Sequence, residues 1–216
     1  MFYDFAKRVI DIIGAIVGLI LLSPIFLLAA VVIELESMGP VIYTPLRVGR
    51  NGKLFKMYKF RSMKIYRIRG QTVHADEYLK TKAQLFEKYK ASGYKLSKDP
   101  RLTGIGAFLR KSSIDELPQL VNILKGEMSL VGPRAYLTEE LKEQQKVYPA
   151  TAPLVKTLLK AKPGLTGYWQ VSGRSQITFD KRIKMDVEYI KKRSIIYDFN
   201  IIIKTIPTLI TGKGAV

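Results

Sequence analysis

The sequence predicts a mainly helical α+β fold: an apolar N-terminal helix pair hinged at its middle, then a small basic domain with one short β-hairpin. Three observations carry this. Residues 12–33 hold no charged side chain, and Ser23-Pro24 interrupts the run near its centre. Helical periodicity recurs through much of the remaining chain, whereas strand-like pieces are short and gather around Asn51-Gly52. Finally, 36 Lys and Arg outnumber 18 Asp and Glu, giving a net charge of +18; Lys7, Arg8, Asp4 and Asp11 cancel within residues 1–33, so the whole excess lies beyond them.

The uncharged run is long enough for a helix to cross a hydrocarbon core of about 30 Å. It is too long for a signal peptide and lacks a small-x-small cleavage site before Glu34. Two forms fit it: a kinked single span, or a re-entrant hairpin turning at Ser23 and Pro24. Proline removes a backbone hydrogen bond, and a serine hydroxyl can satisfy the group set free. Cations flank both sides, Lys7 and Arg8 before the run and Arg47, Arg50, Lys53, Lys56, Lys59, Arg61 and Lys64 after it. The positive-inside rule then puts both flanks on one side, which favours the hairpin. A basic domain directly after it reads as one held against anionic headgroups.

Val41-Ile42-Tyr43 and Leu54 to Tyr58 read as strands around the turn Gly49-Arg50-Asn51-Gly52. Lys59 and Arg61 follow, two cations that fit either a phosphate or a solvated edge strand. Residues 76–92 read as one helix ending before Gly93, with His74 as a polar residue near its start. A turn-rich loop at 98–106 leads to Phe108-Leu109-Arg110.

Ser112 to Gly126 is the stretch around which the rest is arranged. Leu117, Leu120, Val121 and Leu124 mark one helix face, and Pro118 is tolerated only in a first turn, which places Asp115 and Glu116 at the helix start. There the free N–H groups favour carboxylates and phosphate. The plainer reading is a capping box, Ser113-x-x-Glu116. Arg110 lies close enough in sequence to bring a guanidinium to the same phosphate.

Further on, Ser129 to Val131 reads as a strand, with Arg134 in the turn after it. Residues 138–160 are helical and interrupted near Pro149, 162–167 form a loop, and 178–193 a helix containing Asp186. Residues 199–210 are an apolar tail broken at Pro207. Trp169, the only tryptophan, fits either headgroup level or core packing. With no cysteine and one histidine, thiolate chemistry and zinc sites built on several His and Cys ligands are excluded, so any metal would be a hard, oxygen-liking ion such as Mg²⁺.

Assembled, these residues resemble the monotopic phosphoglycosyl transferases, a bacterial sugar transferase family. The likeness runs through Ser23-Pro24, Tyr58 to Met63, Asp99-Pro100-Arg101, Asp115 to Gln119, Gly126 to Arg134, Lys162 to Gly167 and Ser172-Gly173-Arg174, nearly the whole chain. It implies a re-entrant membrane helix over 1–36 and a catalytic domain over 37–216 on the cytoplasmic face of the bacterial inner membrane, with interfacial amphipathic helices. It implies transfer of a sugar-1-phosphate from a UDP-sugar to undecaprenyl phosphate, with UMP released, as the first membrane step of surface glycan synthesis. Asp115 would be the nucleophile and form an aspartyl-phosphosugar. Glu116 would assist it, and both would hold Mg²⁺, or Mn²⁺ in its place. Lys59, Arg61, Arg110, Arg134 and Arg174 would meet phosphate or nucleotide, with Asp186 as polar support. Expected partners are the two substrates, anionic lipids and a second copy in a homodimer; nucleic acid is not expected.

Departures from the family pattern are Ala135 after Gly132-Pro133-Arg134, Tyr168-Trp169-Gln170 after Gly167, and a longer insert at 66–95. A non-catalytic, membrane-tethered polyanion binder would explain the charge but not the acidic pair. A glycosyltransferase that transfers the sugar alone would release UDP.

Overall fold

The N-terminal run folds as two helices, α1 (Phe2–Leu21) and α2 (Ser23–Glu36), bent by 60° at Leu22. The computed structural model describes residues 2–211 except 69, 95, 97 and 98. Among these no single helix is long and apolar enough to cross a membrane, and the bent pair reaches that length and composition only together. Pro24 sits in the first turn of α2, and Ser23 Oγ donates to the Ile20 carbonyl at 2.8 Å. The bend is an open elbow, not two antiparallel legs.

Five residues tie this elbow to the domain. Asp11 is buried, and its Oδ1 accepts from Ser129 Oγ at 3.0 Å and the Leu130 N–H at 2.9 Å. Arg8 donates to the carbonyls of Ile123 and Leu124 at 2.6 and 2.8 Å. At the far end Arg61, 2% exposed, donates to the carbonyls of Met38 at 2.9 Å, Ser37, and Ile33 at 3.4 Å, satisfying groups that the end of α2 leaves open. Glu36 Oε1 accepts the Ile105 N–H at 3.0 Å. Lys7 is ion-paired to Asp198 at 2.7 Å. Both cations of the N-terminal flank are thus engaged inside the protein, and the charge argument for topology rests on the later flank.

Next come β1 (Ile42–Tyr43), β2 (Leu46–Val48), β3 (Leu54–Lys56) and β4 (Lys59–Phe60). The expected hairpin exists, but its arms are β2 and β3, with Val48 opposite Leu54; β1 pairs with β4 instead, Tyr43 opposite Lys59. The insert holds a hairpin that helical periodicity concealed, β5 (Ile65–Ile68) with β6 (Gln71–His74), and then two helices in place of one, α3 (Ala75–Lys80) and α4 (Ala83–Ala91). The break falls where Thr81 turns its hydroxyl onto the Tyr78 carbonyl at 2.7 Å. His74 caps α3, its Nδ1 accepting the Asp76 N–H at 3.3 Å, and stacks on Tyr43. Two expected features, the start of the loop at Lys98 and the end of the insert at Lys95, lie outside the described residues.

The second half comprises α5 (Gly104–Ser112), α6 (Gln119–Leu124), β7 (Ser129–Val131), α7 (Thr138–Val147), α8 (Ala152–Leu158), β8 (Gly164–Thr166), α9 (Tyr168–Ser172), α10 (Phe179–Lys192) and α11 (Ile195–Thr211). The 162–167 segment, expected as loop, contains β8, which pairs in parallel with β7. The approach is so close that a Cβ on Gly164 would lie 2.1 Å from the Gly132 nitrogen, so the turn-like glycines serve contact, not reversal. The tail is not broken: α11 runs through Pro207, held by Ile201 in the core and by Thr205, whose hydroxyl lies 2.7 Å from that of Thr166. One core joins Tyr136, Val155, Phe179, Ile183 and Val187, and a second packs Ala15 of α1 on Leu120, Ile123 and Met128. Phe2, Phe5, Ile20, Leu21, Leu27, Leu28, Phe108, Ile203 and Ile206 are exposed.

Candidate active site

Asp115 and Glu116 stand in a single 3₁₀ turn, Ile114–Glu116, ahead of the helix and not in its first turn. Ser113 takes a left-handed conformation (φ 59°) that ends α5 and throws the chain back, and Pro118 directly precedes α6. The capping box does not form; Ser113 Oγ instead accepts from Arg174 Nη2 at 2.9 Å. Asp115 is only 5% exposed. The pair lies in a cleft of about 1180 Å³, whose lining runs from Ile10, Ile13, Ile202 and Leu209 on α1 and α11 to Tyr43 and Tyr89 beside the insert.

Lys59 is the cation nearest the dyad, with Nζ 2.7 Å from Glu116 Oε1 and 3.6 Å from Asp115 Oδ2. Its place follows from β4 pairing with β1, which sets Phe60 into the core and leaves Lys59 facing the turn. Burial pushes the Asp115 carboxyl above the ordinary range, Lys59 opposes this, and the neighbouring Glu116 charge adds to it. For Glu116 burial acts in the same direction, but Lys59, Arg134 and Arg174 outweigh it and hold its carboxyl low. The two carboxylates therefore differ: Glu116 is the ionised partner of the lysine, Asp115 the more basic and less tightly held group.

Arg110 lines the cleft and donates Nε to Ser62 Oγ at 3.0 Å. Arg134 follows β7, its guanidinium 5.3 Å from the Trp169 ring and its Nε 3.8 Å from Glu140 Oε1. Trp169 is 4% exposed, with Arg182 also over its ring at 5.0 Å, so packing and not headgroup contact explains it. Asp186 is wholly buried below: its Oδ2 accepts the Arg134 N–H at 3.2 Å and the Tyr136 hydroxyl at 3.3 Å, so it supports the arginine turn without reaching the cleft. Arg61 is the misplaced expectation. It lies outside the cleft lining and fastens α2: β4 ends at Phe60, and the next residue turns its guanidinium onto the carbonyls of Ile33, Ser37 and Met38.

Arg47, in sequence one flank charge among several, lines the cleft. Arg47 Nε and Nη1, Arg134 Nε and Arg174 Nη1 are all buried without a hydrogen-bond partner among the described residues. A buried guanidinium N–H without an acceptor is costly. Four such atoms along one cleft point to an anionic ligand with more than one charged group. No cluster of three or more His, Cys, Asp or Glu side chains occurs among the described residues. The donor set fits a hard divalent ion held by one or two carboxylates and completed by substrate phosphates, which is the manner of Mg²⁺.

A family model described as bacterial sugar transferase matches residues 2–212. The exopolysaccharide production protein ExoY of Rhizobium meliloti (strain 1021) is 40% identical over 97% of this chain and 88% of its own length. The galactosyl transferase CpsE of Streptococcus agalactiae serotype III is 43% identical, with 97% of this chain and 43% of the relative covered. The undecaprenyl-phosphate galactose phosphotransferase of Salmonella typhimurium is 40% identical over 98% and 42%. The chain spans less than half the length of the last two.

Proposed function

The chain belongs to the bacterial sugar transferase family, and on that premise we propose that it moves a sugar-1-phosphate from a UDP-sugar to undecaprenyl phosphate and releases UMP. The observation that carries this is the acidic pair in a cleft where three arginines hold buried, unsatisfied donors, with apolar helices along one end of the lining. A Asp115 carboxylate oxygen attacks the β-phosphorus, the bond to the bridging oxygen breaks, and UMP departs with that oxygen. A phosphate oxygen of the lipid carrier then attacks the phosphorus of the aspartyl-phosphosugar, and the Asp115 carboxylate is regenerated. Asp115 suits the nucleophile because burial keeps it basic while Lys59 sits closer to Glu116. Arg110, Arg134 and Arg174 compensate the equatorial phosphate charge, and Glu116 holds Lys59 in place. Asp115 and Glu116 would hold Mg²⁺, which supplies charge neutralisation of the diphosphate when bound.

The bent helix pair and the exposed apolar residues of α1, α2 and α11 support a re-entrant membrane element over 1–36, with the domain against the cytoplasmic face of the inner membrane. The test is UMP release by the purified protein with a panel of UDP-sugars and undecaprenyl phosphate. Mg²⁺-dependent UMP release is expected, and none from Asp115→Asn, which keeps the fold but has no carboxylate to attack the phosphorus and form the acyl phosphate. Release of UDP, or near-normal turnover by Asp115→Asn, would overturn the reading.

A further inference from the structure

We infer that Arg47 is the residue that holds the phosphate remaining with the departing nucleotide, in a compartment of the cleft shared with Tyr43 and Tyr89; this rests on the reading above.

Arg47 lies at the centre of β2, opposite Phe55 of β3. It lines the cleft with Tyr43, Tyr89, Arg134 and the dyad, while Val48, next along the strand, packs into the core. Two of its N–H groups, Nε and Nη1, are buried and have no acceptor among the described residues. The charged groups that bear on it are Arg134 and Glu140, and the phenols are Tyr43 and Tyr89. Glu140, the carboxylate that bears on it, is already shared by Arg182 at 3.4 Å and Arg134 at 3.8 Å. Arg47 therefore lacks a counter-charge of its own, and burial, reinforced by Arg134, holds its guanidinium below the ordinary value.

The order of groups along the cleft gives the ligand. Asp115 has Lys59 Nζ at 3.6 Å, whereas Arg134 and Arg47 line the same cleft with buried N–H groups that have no acceptor among the described residues. The phosphorus under attack must lie within bonding reach of Asp115. An anionic group one step further along, between Arg134 and Arg47, occupies the place of the second phosphate of a diphosphate. A neutral sugar would leave the buried N–H groups of Arg47 without a charged acceptor, so the second phosphate and not the sugar belongs there. Tyr43 and Tyr89 line the same cleft as Arg47.

The probe is UMP, with uridine as the form lacking the phosphate, each titrated by calorimetry into the full-length protein in detergent. Wild type is expected to bind UMP at least about tenfold more tightly than uridine, the equivalent of a single charge-assisted contact. Arg47→Met should reduce UMP to the level of uridine and leave uridine unchanged, and Arg47→Lys should fall between. Because the substitution removes an uncompensated buried charge, the unliganded melting temperature of Arg47→Met should equal or exceed that of wild type. UMP affinity unchanged in Arg47→Met would overturn the inference while leaving the functional reading intact. So would a lowered melting temperature in Arg47→Met together with full UMP affinity in Arg47→Lys, which would make Arg47 a structural residue. If wild type itself shows no preference for UMP over uridine, the functional reading falls, and the inference with it.

Discussion

Replacing Asp186 by Asn should flatten part of the pH dependence of stability. Asp186 is wholly buried, and burial raises its carboxyl from an ordinary 3.8 to about 7, against the opposing pull of the Arg134 N–H, Arg182 and the Tyr136 hydroxyl. Below about pH 4 both folded and unfolded chains carry the proton and the group contributes no slope. As pH rises the unfolded chain ionises first, so stability is lost progressively until the folded carboxyl ionises near pH 7, and the loss is constant above that. At about 1.36 kcal/mol per pH unit the full interval is on the order of 4 kcal/mol. Asparagine keeps a carbonyl to accept the Arg134 N–H and does not titrate. Urea unfolding in detergent at pH 5, 6, 7 and 8, followed by Trp169 fluorescence, measures both proteins. The stability of Asp186→Asn relative to wild type should rise by about 3 kcal/mol from pH 5 to pH 8. A difference that stays flat across that range would refute the reasoning and mean that Asp186 is ionised throughout.

Three further outcomes are expected. Lys59→Met removes the cation shared by both dyad carboxylates, so the acid limb of the kcat/KM profile should move up by about one pH unit or more while the rate falls; a fixed limb would show that Lys59 does not control the dyad. Arg61→Met leaves the carbonyls at the end of α2 without their buried donor and should cost about 3 kcal/mol, visible as a lowered melting temperature with the dyad chemistry otherwise retained. Single cysteines at Phe2 and Ser92, introduced into a chain that has none, should both resist an impermeant thiol reagent until cells are permeabilised; labelling at Phe2 alone in intact cells would establish a true span.

What could be read in advance follows the range of the interactions involved. The helices, the break at Ser23-Pro24 and the interruption near Pro149 depend on neighbours within a turn or two, and residue pattern reports those directly. The strand partners do not: β7 with β8 and β1 with β4 are joined across intervening elements, and Gly164 resembles a turn glycine until Gly132 is known to lie against it. Pro207 misled for a related reason, since contacts of Ile201 and Thr205 with the rest of the fold sustain a helix that local preference would end. At the site, Asp115, Glu116, Lys59, Arg110, Arg134 and Arg174 do line one cleft. Arg61 and Arg47 show the limit: both are arginines in one basic stretch, and only the third dimension tells the one that fastens a helix from the one left without an acceptor.

The bond from Arg8 to the carbonyls of Ile123 and Leu124 has a mechanical consequence. Those carbonyls end the short helix that follows the dyad, and Asp11, less than one turn further along α1, grips the backbone at Leu130. Helix α1 is therefore a shaft fixed to the reaction centre at two points, with no hinge between them. On the proposed membrane reading, the height of Asp115 above the acyl chains would be set by how deep the shaft sits, and one helical turn of vertical travel would move it by about 5.4 Å. Bilayer thickness then acts as a gauge: a membrane a few ångströms too thick or too thin would offer the carrier's phosphate at the wrong level, and turnover would fall although every residue of the cleft stayed in place.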